Sequence, residues 1–287
     1  MSDLVIRGRG LSPDDVEVIR QIAERPGQSR RAISVEVCAR LGWYQPNGRL
    51  WDMACRYLLL RLQDKGLLKL PAARGRSAKR HPLTLSQDAE AQCPITAPVR
   101  ELGALRWERV DGTALARLWK EYIYRYHYLG LGTLVGPHVR YLIGFEGGWL
   151  AAMGFSGAAW KLRPRDTWID WSPAERQARL HLVVNQTRYL ILPWVHSKNL
   201  ASHLLGVAAR LLVQDWQEKY RYRPLLLETF VDARRFAGTC YRAANWIHLG
   251  HSQGRGKMDR HRRQALPVKD IYVYPLHRRA CEMLRAT

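Results

Sequence analysis

The sequence is poor in cysteine and has no long apolar segment. Five cysteines are scattered through 287 residues, and no two of them form a Cys-x-x-Cys pair. An odd, widely spaced set argues against a disulfide framework or a zinc ribbon and favours reduced thiols in the cytoplasm. No apolar run approaches the ~20 residues that cross a bilayer, and the first residues lack the apolar stretch of a secretory leader. We therefore expect a cytoplasmic protein with no membrane partner.

Familiar enzyme motifs are missing as well. There is no Walker loop, no His-x-x-x-His pair and no dinucleotide-binding glycine fingerprint. We therefore predict no metal site. The weak candidates are Asp166, Asp170 and Asp232 with Glu228, which would make a magnesium-dependent nuclease. Helix capping and pairing with nearby arginines is the more common use of such carboxylates, and we favour it.

Acidic residues are few relative to basic ones. The chain has 46 Lys and Arg against 25 Asp and Glu, a formal net charge of +21 and a sequence pI of about 10.3. A hydrophobic content of 47 % argues against a disordered tail. An excess of this size is typical of proteins that meet a polyanion, so we expect DNA as the partner, with RNA as the alternative.

Composition divides the chain into three regions. Residues 1–70 have a helical pattern, and residues 71–100 form a basic segment interrupted by four prolines. Residues 101–287 alternate apolar strands with helices, which is an α/β pattern. We predict a winged-helix-like DNA-binding module, a wing or linker, and an α/β domain, in that order.

The first region predicts three helices. Ser12 and Pro13 begin the first, Ser29 caps the second, and the third runs from Arg49 to Lys65 with Met53 and Tyr57 in its apolar stripe. Residues 67–70 then predict the first strand of a basic wing. Helices followed by a basic hairpin are typical of DNA-reading modules, although dimerisation modules share the pattern.

The third predicted helix carries Arg49 and Arg56 seven residues apart, so we place both in a major groove. Other arginines and lysines would bind phosphates. They lie in the linker, before the helix predicted at residues 204–220, and in the glycine-rich 250–263 segment. The complete set of predicted nucleic-acid contacts is Arg49, Arg56, Arg74, Arg76, Lys79, Arg80, Lys198, Arg255, Lys257, Arg260, Arg262 and Arg263.

A strand at residues 225–232 ends in acidic residues, and a short helix carries Tyr241 four residues before Asn245. Together these elements resemble the last third of the GNAT acyltransferase fold. Asn tolerates the left-handed conformation that ends helices, and Trp246 then re-enters the core. If the domain is an enzyme, Glu228 would be the base and Tyr241 the acid, with Tyr126 beside the reacting atoms.

The coenzyme of such enzymes is not expected here. GNAT enzymes bind the pyrophosphate of coenzyme A through a Gln/Arg-x-x-Gly-x-Gly/Ala loop, and the matching residues are His196 to Ala201. This loop contains no glycine, and Asn199 stands where close backbone approach is needed. The cofactor is therefore unknown, and magnesium would enter only with a nuclease.

Several long motifs follow one another along the chain, with a helix motif at Leu50-x-Asp-x-Ala-Cys-Arg56 before them. The motifs are Tyr126-His-Tyr-Leu-Gly130, Arg165-Asp-x-Trp-Ile-x-Trp171, Arg188-Tyr-Leu-Ile-Leu-Pro193, Asn199-Leu-Ala-Ser202, Leu227-Glu-Thr-Phe-Val-Asp232 and Gly238-Thr-Cys-Tyr-Arg-Ala-Ala-Asn-Trp246. In this order they resemble the DruA family, named for the Druantia anti-phage defence system, whose members also resemble partners or fusions of insertion-sequence transposases. The resemblance implies bacterial origin, DNA engagement and defence or transposase proteins as partners, but no particular reaction.

The leading hypothesis is therefore a nucleic-acid-binding protein of bacterial phage defence or of a mobile element. The alternative is an enzyme that acts on DNA, by group transfer to a base or, with less support, as a metal-dependent nuclease. The sequence leaves open whether the protein is catalytic.

Overall fold

A computed structural model describes residues 5–6, 9–44, 48–72, 83–134, 136–254 and 267–285. The chain divides into two compact units. The first contains Met1–Pro82 and Tyr220–Tyr222, and the second contains Leu83–Lys219 and Arg223–Thr287. Within the described part of the chain, no helix is both long and apolar enough to cross a lipid bilayer.

The first unit contains three helices: α1 (Pro13–Ala23), α2 (Arg30–Arg40) and α3 (Asp52–Asp64). They follow a two-stranded hairpin of β1 (Val5–Ile6) and β2 (Arg9–Gly10), which the sequence did not predict. Ser12 caps α1 in a reciprocal capping box, and the Ser29 hydroxyl caps α2, as predicted. Each cap accepts a backbone N–H that the helix itself leaves without a partner.

Helix α3 departs from the sequence prediction. It begins at Asp52 rather than Arg49, and Met53 and Tyr57 are exposed instead of buried. Its buried side is formed by Cys55, Leu58, Leu59 and Leu62. Residues 67–70 are irregular rather than a strand, because the Leu70 N–H donates to the side chain of Gln63. The segment that would pair with them, residues 73–82, lies outside the described residues.

In the part of the chain that is described, the second unit contains a seven-stranded mixed sheet of order β3-β4-β5-β6-β7-β9-β8. Its strands are β3 (Arg106–Arg109), β4 (His138–Phe145), β5 (Gly148–Gly157), β6 (Val183–Ile191), β7 (Leu226–Asp232), β8 (Ile247–His251) and β9 (Lys269–Pro275). The helices are α4 (Leu115–Tyr126), α5 (Arg163–Ile169), α6 (Pro173–Arg179), α7 (Leu200–Tyr220), α8 (Thr239–Ala243) and α9 (Ala280–Arg285).

The pairing of β6 with β7 is the distinctive feature of this sheet. It is the parallel pair among the described strands, and it joins only Val183–Gln186 to Leu226–Thr229. Beyond Gln186 and Thr229 the two strands have no ladder between them. Helix α7 makes the crossover that a parallel pair requires. Antiparallel pairs lie on both sides of this parallel pair, and the mixed sheet with its helices confirms the mixed α/β class predicted from the sequence.

Residues 83–100 belong to the second unit, although their prolines predicted a linker. They are held by α4, whose buried Glu121 accepts from the Ser86 N–H at 2.9 Å and from its hydroxyl. Burial raises the pKa of Glu121, but hydrogen bonds from Ser86 and Arg117 outweigh it and leave the pKa lowered. Composition did not reveal that this loop supplies the hydrogen bonds that a buried carboxylate needs.

A buried ion pair anchors α5 to the sheet. Arg165 and Glu228 are both fully buried, with Nη1 2.7 Å from Oε2. The other Glu228 oxygen accepts from the Ala159 N–H at 2.7 Å, and Arg165 also donates to the Ala159 carbonyl at 2.9 Å. Asp166 pairs with the same guanidinium. The arrangement satisfies two charges that could not remain in the interior alone.

We expect Glu228→Gln to lower the free energy of unfolding by about 3–5 kcal/mol, since it leaves the Arg165 charge buried without its strongest partner. Urea unfolding followed by circular dichroism measures the change. Asp170→Asn is the matched control, because the Asp170 side chain is 85 % exposed. That variant should change stability by less than about 1 kcal/mol. Equal effects of the two variants would show that the buried pair does not stabilise the fold.

Candidate functional site

A group of charged residues lies at the ends of β6 and β7, beyond the ladder that joins the two strands. Asp232 is the last residue of β7 and pairs with Lys269 on β9, so their side chains share one face of the sheet. Arg188 reaches the same face through a bulge. Gly154 pairs with Arg188 and Phe155 with Gln186, so Thr187 is an extra residue. It places the Arg188 side chain on the face of the sheet that Gln186 does not share.

Arg188 is only partly exposed and has no acidic partner within ion-pair distance among the described residues. It donates instead to two backbone carbonyls, those of Gly130 at 3.1 Å and Thr187 at 2.7 Å. Burial lowers the pKa of Arg188. A guanidinium remains charged under all ordinary conditions, so the protein holds a positive charge here without compensating it locally.

Lys269 and His127 respond to that charge. Burial lowers the pKa of Lys269, Asp232 opposes the shift, and Arg188 adds to it. Burial lowers the pKa of His127 to about 4, helped by the charges of Arg188 and Lys269. His127 is therefore neutral at neutral pH. Asp232 offsets the two cations only in part, because Arg234 binds both of its oxygens, at 3.1 and 3.0 Å.

Aromatic rings lie beside these cations. Tyr128 stacks on His127 with ring centres 5.0 Å apart, and Phe236 lies 5.4 Å from Tyr128. The guanidinium of Arg235 lies 5.4 Å from the centre of the Tyr128 ring. Phe236 is 50 % exposed, which is unusual for a large apolar ring. Positive charge next to accessible rings suits a ligand that has both phosphates and flat bases. We call Arg188, Lys269, His127, Tyr128 and Phe236 the strand-end site.

The three predicted catalytic residues are not brought together. The Tyr241 hydroxyl donates to Gln186 Oε1 at 2.9 Å, and Gln186 pairs with Thr229, so Tyr241 lies on the face of Thr229. Glu228 precedes Thr229 in the strand and points to the opposite face, where Arg165 binds it. Tyr126 donates to the Ala89 carbonyl at 2.9 Å and packs against Trp194. Each of the three residues has a structural partner of its own.

The predicted metal candidates are occupied by arginines. The Asp166 carboxylate forms ion pairs with Arg165, at 2.7 Å, and with Arg176, at 3.5 Å, and Asp232 forms one with Arg234. Asp170 is exposed, with Arg285 3.5 Å away. These carboxylates, with Glu228, do not form a group whose ligand atoms converge within the described residues. The structure thus follows the capping-and-pairing alternative at Asp166 and Asp232.

The predicted nucleic-acid contacts fall into two groups. Arg49 and Lys198 are exposed, and Arg56 is partly exposed with Asp52 2.9 Å away. Arg49 precedes α3 instead of lying on it, so the two arginines do not share a helical face. The remaining candidates lie outside the described residues: Arg74, Arg76, Lys79, Arg80, Arg255, Lys257, Arg260, Arg262 and Arg263.

The loop before α7 is the counterpart of the loop that binds coenzyme A in GNAT enzymes. Asn199 has a φ of 63°, the left-handed conformation that glycine adopts in such loops, as its residue type predicted. Asn245 ends α8 in the same conformation, with a φ of 61°. A side chain nevertheless projects from Asn199, and the Ala201 carbonyl at the start of α7 already accepts a hydrogen bond from the Tyr189 hydroxyl, at 2.6 Å. The residues present do not match the coenzyme, and we derive no chemistry through it.

Sequence reasoning missed Arg188 and Lys269. Arg188 was only the first residue of a motif, although a single cation before an apolar run without an acidic residue nearby was an available signal. Lys269 gave no such signal, because Asp270 follows it directly. His127 and Tyr128, which follow the predicted catalytic residue Tyr126 directly in the sequence, lie at the strand-end site, whereas Tyr126 does not.

Comparison with known proteins identifies the family. A family model described as Druantia protein DruA matches residues 61–264. The chain belongs to the DruA family. The match covers part of α3 and most of the second unit, including every residue of the strand-end site except Lys269. No curated protein matches the chain.

Several solved acetyltransferases are similar to this chain at low identity. A Drosophila melanogaster polyamine N-acetyltransferase is 10 % identical and covers 60 % of this chain and 100 % of its own, with a TM-score of 0.39. An aminoglycoside acetyltransferase with coenzyme A and kanamycin is 16 % identical, with 63 % and 97 % covered and a TM-score of 0.36. A Staphylococcus aureus N-acetyltransferase is 18 % identical, with 49 % and 68 % covered and a TM-score of 0.32. Substrates and coenzymes of those enzymes are properties of those enzymes alone.

Replacing Arg188 with Gln should raise the pKa of His127 above about 4, because one of the two charges that lower it is removed. The pKa should stay below the ordinary histidine value of 6.5, since burial is the larger cause. Side-chain NMR titration of His127 measures the change. Arg235→Gln is the control, an arginine beside Tyr128 that does not shift His127. An unchanged pKa in Arg188→Gln would mean that the two side chains are not neighbours in solution.

Proposed function

We propose that this protein binds nucleic acid, with DNA as its target, in a bacterial anti-phage defence or mobile-element system. The observation that carries the proposal is the strand-end site, where Arg188 and Lys269 lie half-buried with no salt bridge among the described residues. An uncompensated cation held away from bulk water favours an anionic ligand, and the net charge of +21 selects a polyanion. Membership of the DruA family supports the defence role.

A nucleic-acid strand matches the chemistry of this site better than a small anion does. Phosphates would lie against Arg188 and Lys269, and Tyr128 and Phe236 would offer ring faces for unpaired bases. A free phosphate or carboxylate would use the cations but not the rings. We therefore expect single-stranded DNA, or a strand separated from its duplex, to be bound at the strand-end site.

The first unit would then supply duplex contacts as a winged-helix-like module. Arg49 and Arg56 remain its candidate base contacts, and the basic 73–82 segment its candidate wing. On α3, exposed Met53 and Tyr57 would lie at the same interface or meet a protein partner. Other defence-system or transposase proteins are the partners that the family suggests, and the cytoplasm is the proposed location.

An enzyme acting on DNA is the second candidate, but no observation favours it over binding. Tyr241 and Glu228 lie on opposite faces of the sheet, so they cannot serve one reaction as acid and base without rearrangement. The nuclease carboxylates are paired with arginines. Incubation with DNA and magnesium during the binding experiments tests both reactions directly.

Neutralising the strand-end cations should weaken single-strand binding. The double variant Arg188→Gln, Lys269→Gln removes two phosphate contacts, so the slope of log affinity against log salt should fall by about 1.4, at about 0.7 for each single-strand contact. Fluorescence anisotropy with labelled single-stranded DNA, duplex DNA and RNA, repeated over a salt series, measures both quantities. Arg100→Gln, Arg210→Gln carries the same charge change at exposed positions. If both double variants lose affinity equally, net charge rather than the site explains binding.

Reversing the charge of the linker should weaken duplex binding through the first unit. Glutamate at Arg74, Arg76, Lys79 and Arg80 should lower the duplex salt slope by about 3.6, at about 0.9 for each lost contact. The control exchanges Arg and Lys at the same four positions and keeps the charge, so it should bind as the unmodified protein does. An unchanged affinity and slope in the glutamate variant would exclude a wing at these residues.

A further inference from the structure

The edge of the sheet at β8 carries a second group of chemistry-bearing side chains. His248 pairs with Tyr272 and His251 with Asp270, so between these pairs Leu249 and Gly250 of β8 face the single residue Ile271 of β9. The extra residue is a β-bulge, and Gly250 accommodates it with a φ of 98°. Without the bulge, residues three apart in a strand would point to opposite faces. With it, His248, His251 and Asp270 lie on one face.

The potential ligand atoms of these three residues lie close enough together to bind one ion. One ligand atom from each residue lies within 4.8 Å of the other two. Asp270 Oδ1 is 2.7 Å from His251 Nδ1 and 3.5 Å from His248 Nε2. Oδ1 is nonetheless buried and accepts no hydrogen bond. The two ring nitrogens thus approach the carboxylate oxygen without the direction that an N–H···O bond requires.

We propose that His248, His251 and Asp270 bind a divalent transition-metal ion, with Zn²⁺ as the best match. Two imidazoles and one carboxylate are ordinary zinc ligands, bound at about 2.0–2.2 Å in a tetrahedral arrangement. Such bonds put neighbouring ligand atoms about 3.3 Å apart. The His248–Asp270 distance already agrees, and the His251–Asp270 contact needs to open by roughly half an ångström.

The surroundings of the group suit a metal site with an open position. His248 and His251 are exposed, whereas the Asp270 side chain is only 14 % exposed, so the carboxylate forms the floor and solvent reaches the ion from the side of the imidazoles. Three protein ligands leave a fourth position for water or a substrate atom. The ring of His248 is supported by Tyr272 at 4.9 Å, which limits its rotation.

A simple ion pair between protonated histidines and Asp270 is the competing explanation. It predicts no metal affinity, and it would normally show N–H···O hydrogen bonds to the carboxylate. The bulge is also unnecessary for an ion pair, since a single histidine opposite Asp270 would suffice. The convergence of three ligand atoms through a one-residue insertion favours the metal site. This inference is independent of the nucleic-acid proposal.

The test uses the full chain, expressed without a histidine tag and stripped of metal by a chelator. Isothermal titration with Zn²⁺ should give one ion per chain, and Co²⁺ should give the absorption of a site with nitrogen and oxygen ligands. His248→Ala, His251→Ala and Asp270→Asn should each weaken binding at least about tenfold. Circular dichroism of each variant checks that the fold is intact.

His138→Ala is the matched control, since His138 also lies beside a carboxylate, 3.7 Å from Asp111, but has no second histidine there. It should bind Zn²⁺ as the unmodified protein does. The proposal is overturned if the unmodified chain binds no ion, if the three site variants bind as tightly as it does, or if Co²⁺ shows a thiolate charge-transfer band. The last result would place the ion on cysteines elsewhere in the chain.

Discussion

The short parallel pairing of β6 with β7 is the constraint on which the second unit depends. Four residues of each strand hold the sheet together, and beyond them no ladder joins β6 to β7. Polar groups at a strand end need other partners once the ladder stops. Arg188 donates to backbone carbonyls and Asp232 binds Arg234, while Lys269 of β9 and the rings that follow α4 and β7 complete the strand-end site. The candidate site exists because the ladder between β6 and β7 stops before the strands end.

The buried Arg165–Glu228 pair explains why an acidic residue in an apolar strand was a misleading sign of catalysis. A carboxylate in such a strand has two uses, to act on a ligand or to receive a cation from a packed helix, and both look alike in sequence. Here Arg165 of α5 forms an ion pair with Glu228. The pair fixes α5 on one face of the sheet while α8 presents Tyr241 on the other, so the two residues serve packing on separate sides.

Local signals made much of the fold predictable. Helix caps at Ser12 and Ser29 and the left-handed Asn245 depend on residues close in sequence, and they were predicted correctly. Contacts distant in sequence were not predictable. The attachment of residues 83–100 to α4, the exposure of Met53 and Tyr57, and the meeting of Arg188 with Lys269 arise only when the chain is folded. The candidate site belongs mostly to this second class.

The bulge at His248–His251 has a further consequence for the solubility of the molecule. β8 is the last strand in the described sheet, and an edge strand exposes a row of backbone N–H and C=O groups to which another chain can add. A one-residue insertion breaks the spacing of that row, so a regular strand cannot continue across it. The irregularity that gathers the histidines therefore also protects the sheet from pairing edge to edge with a second molecule.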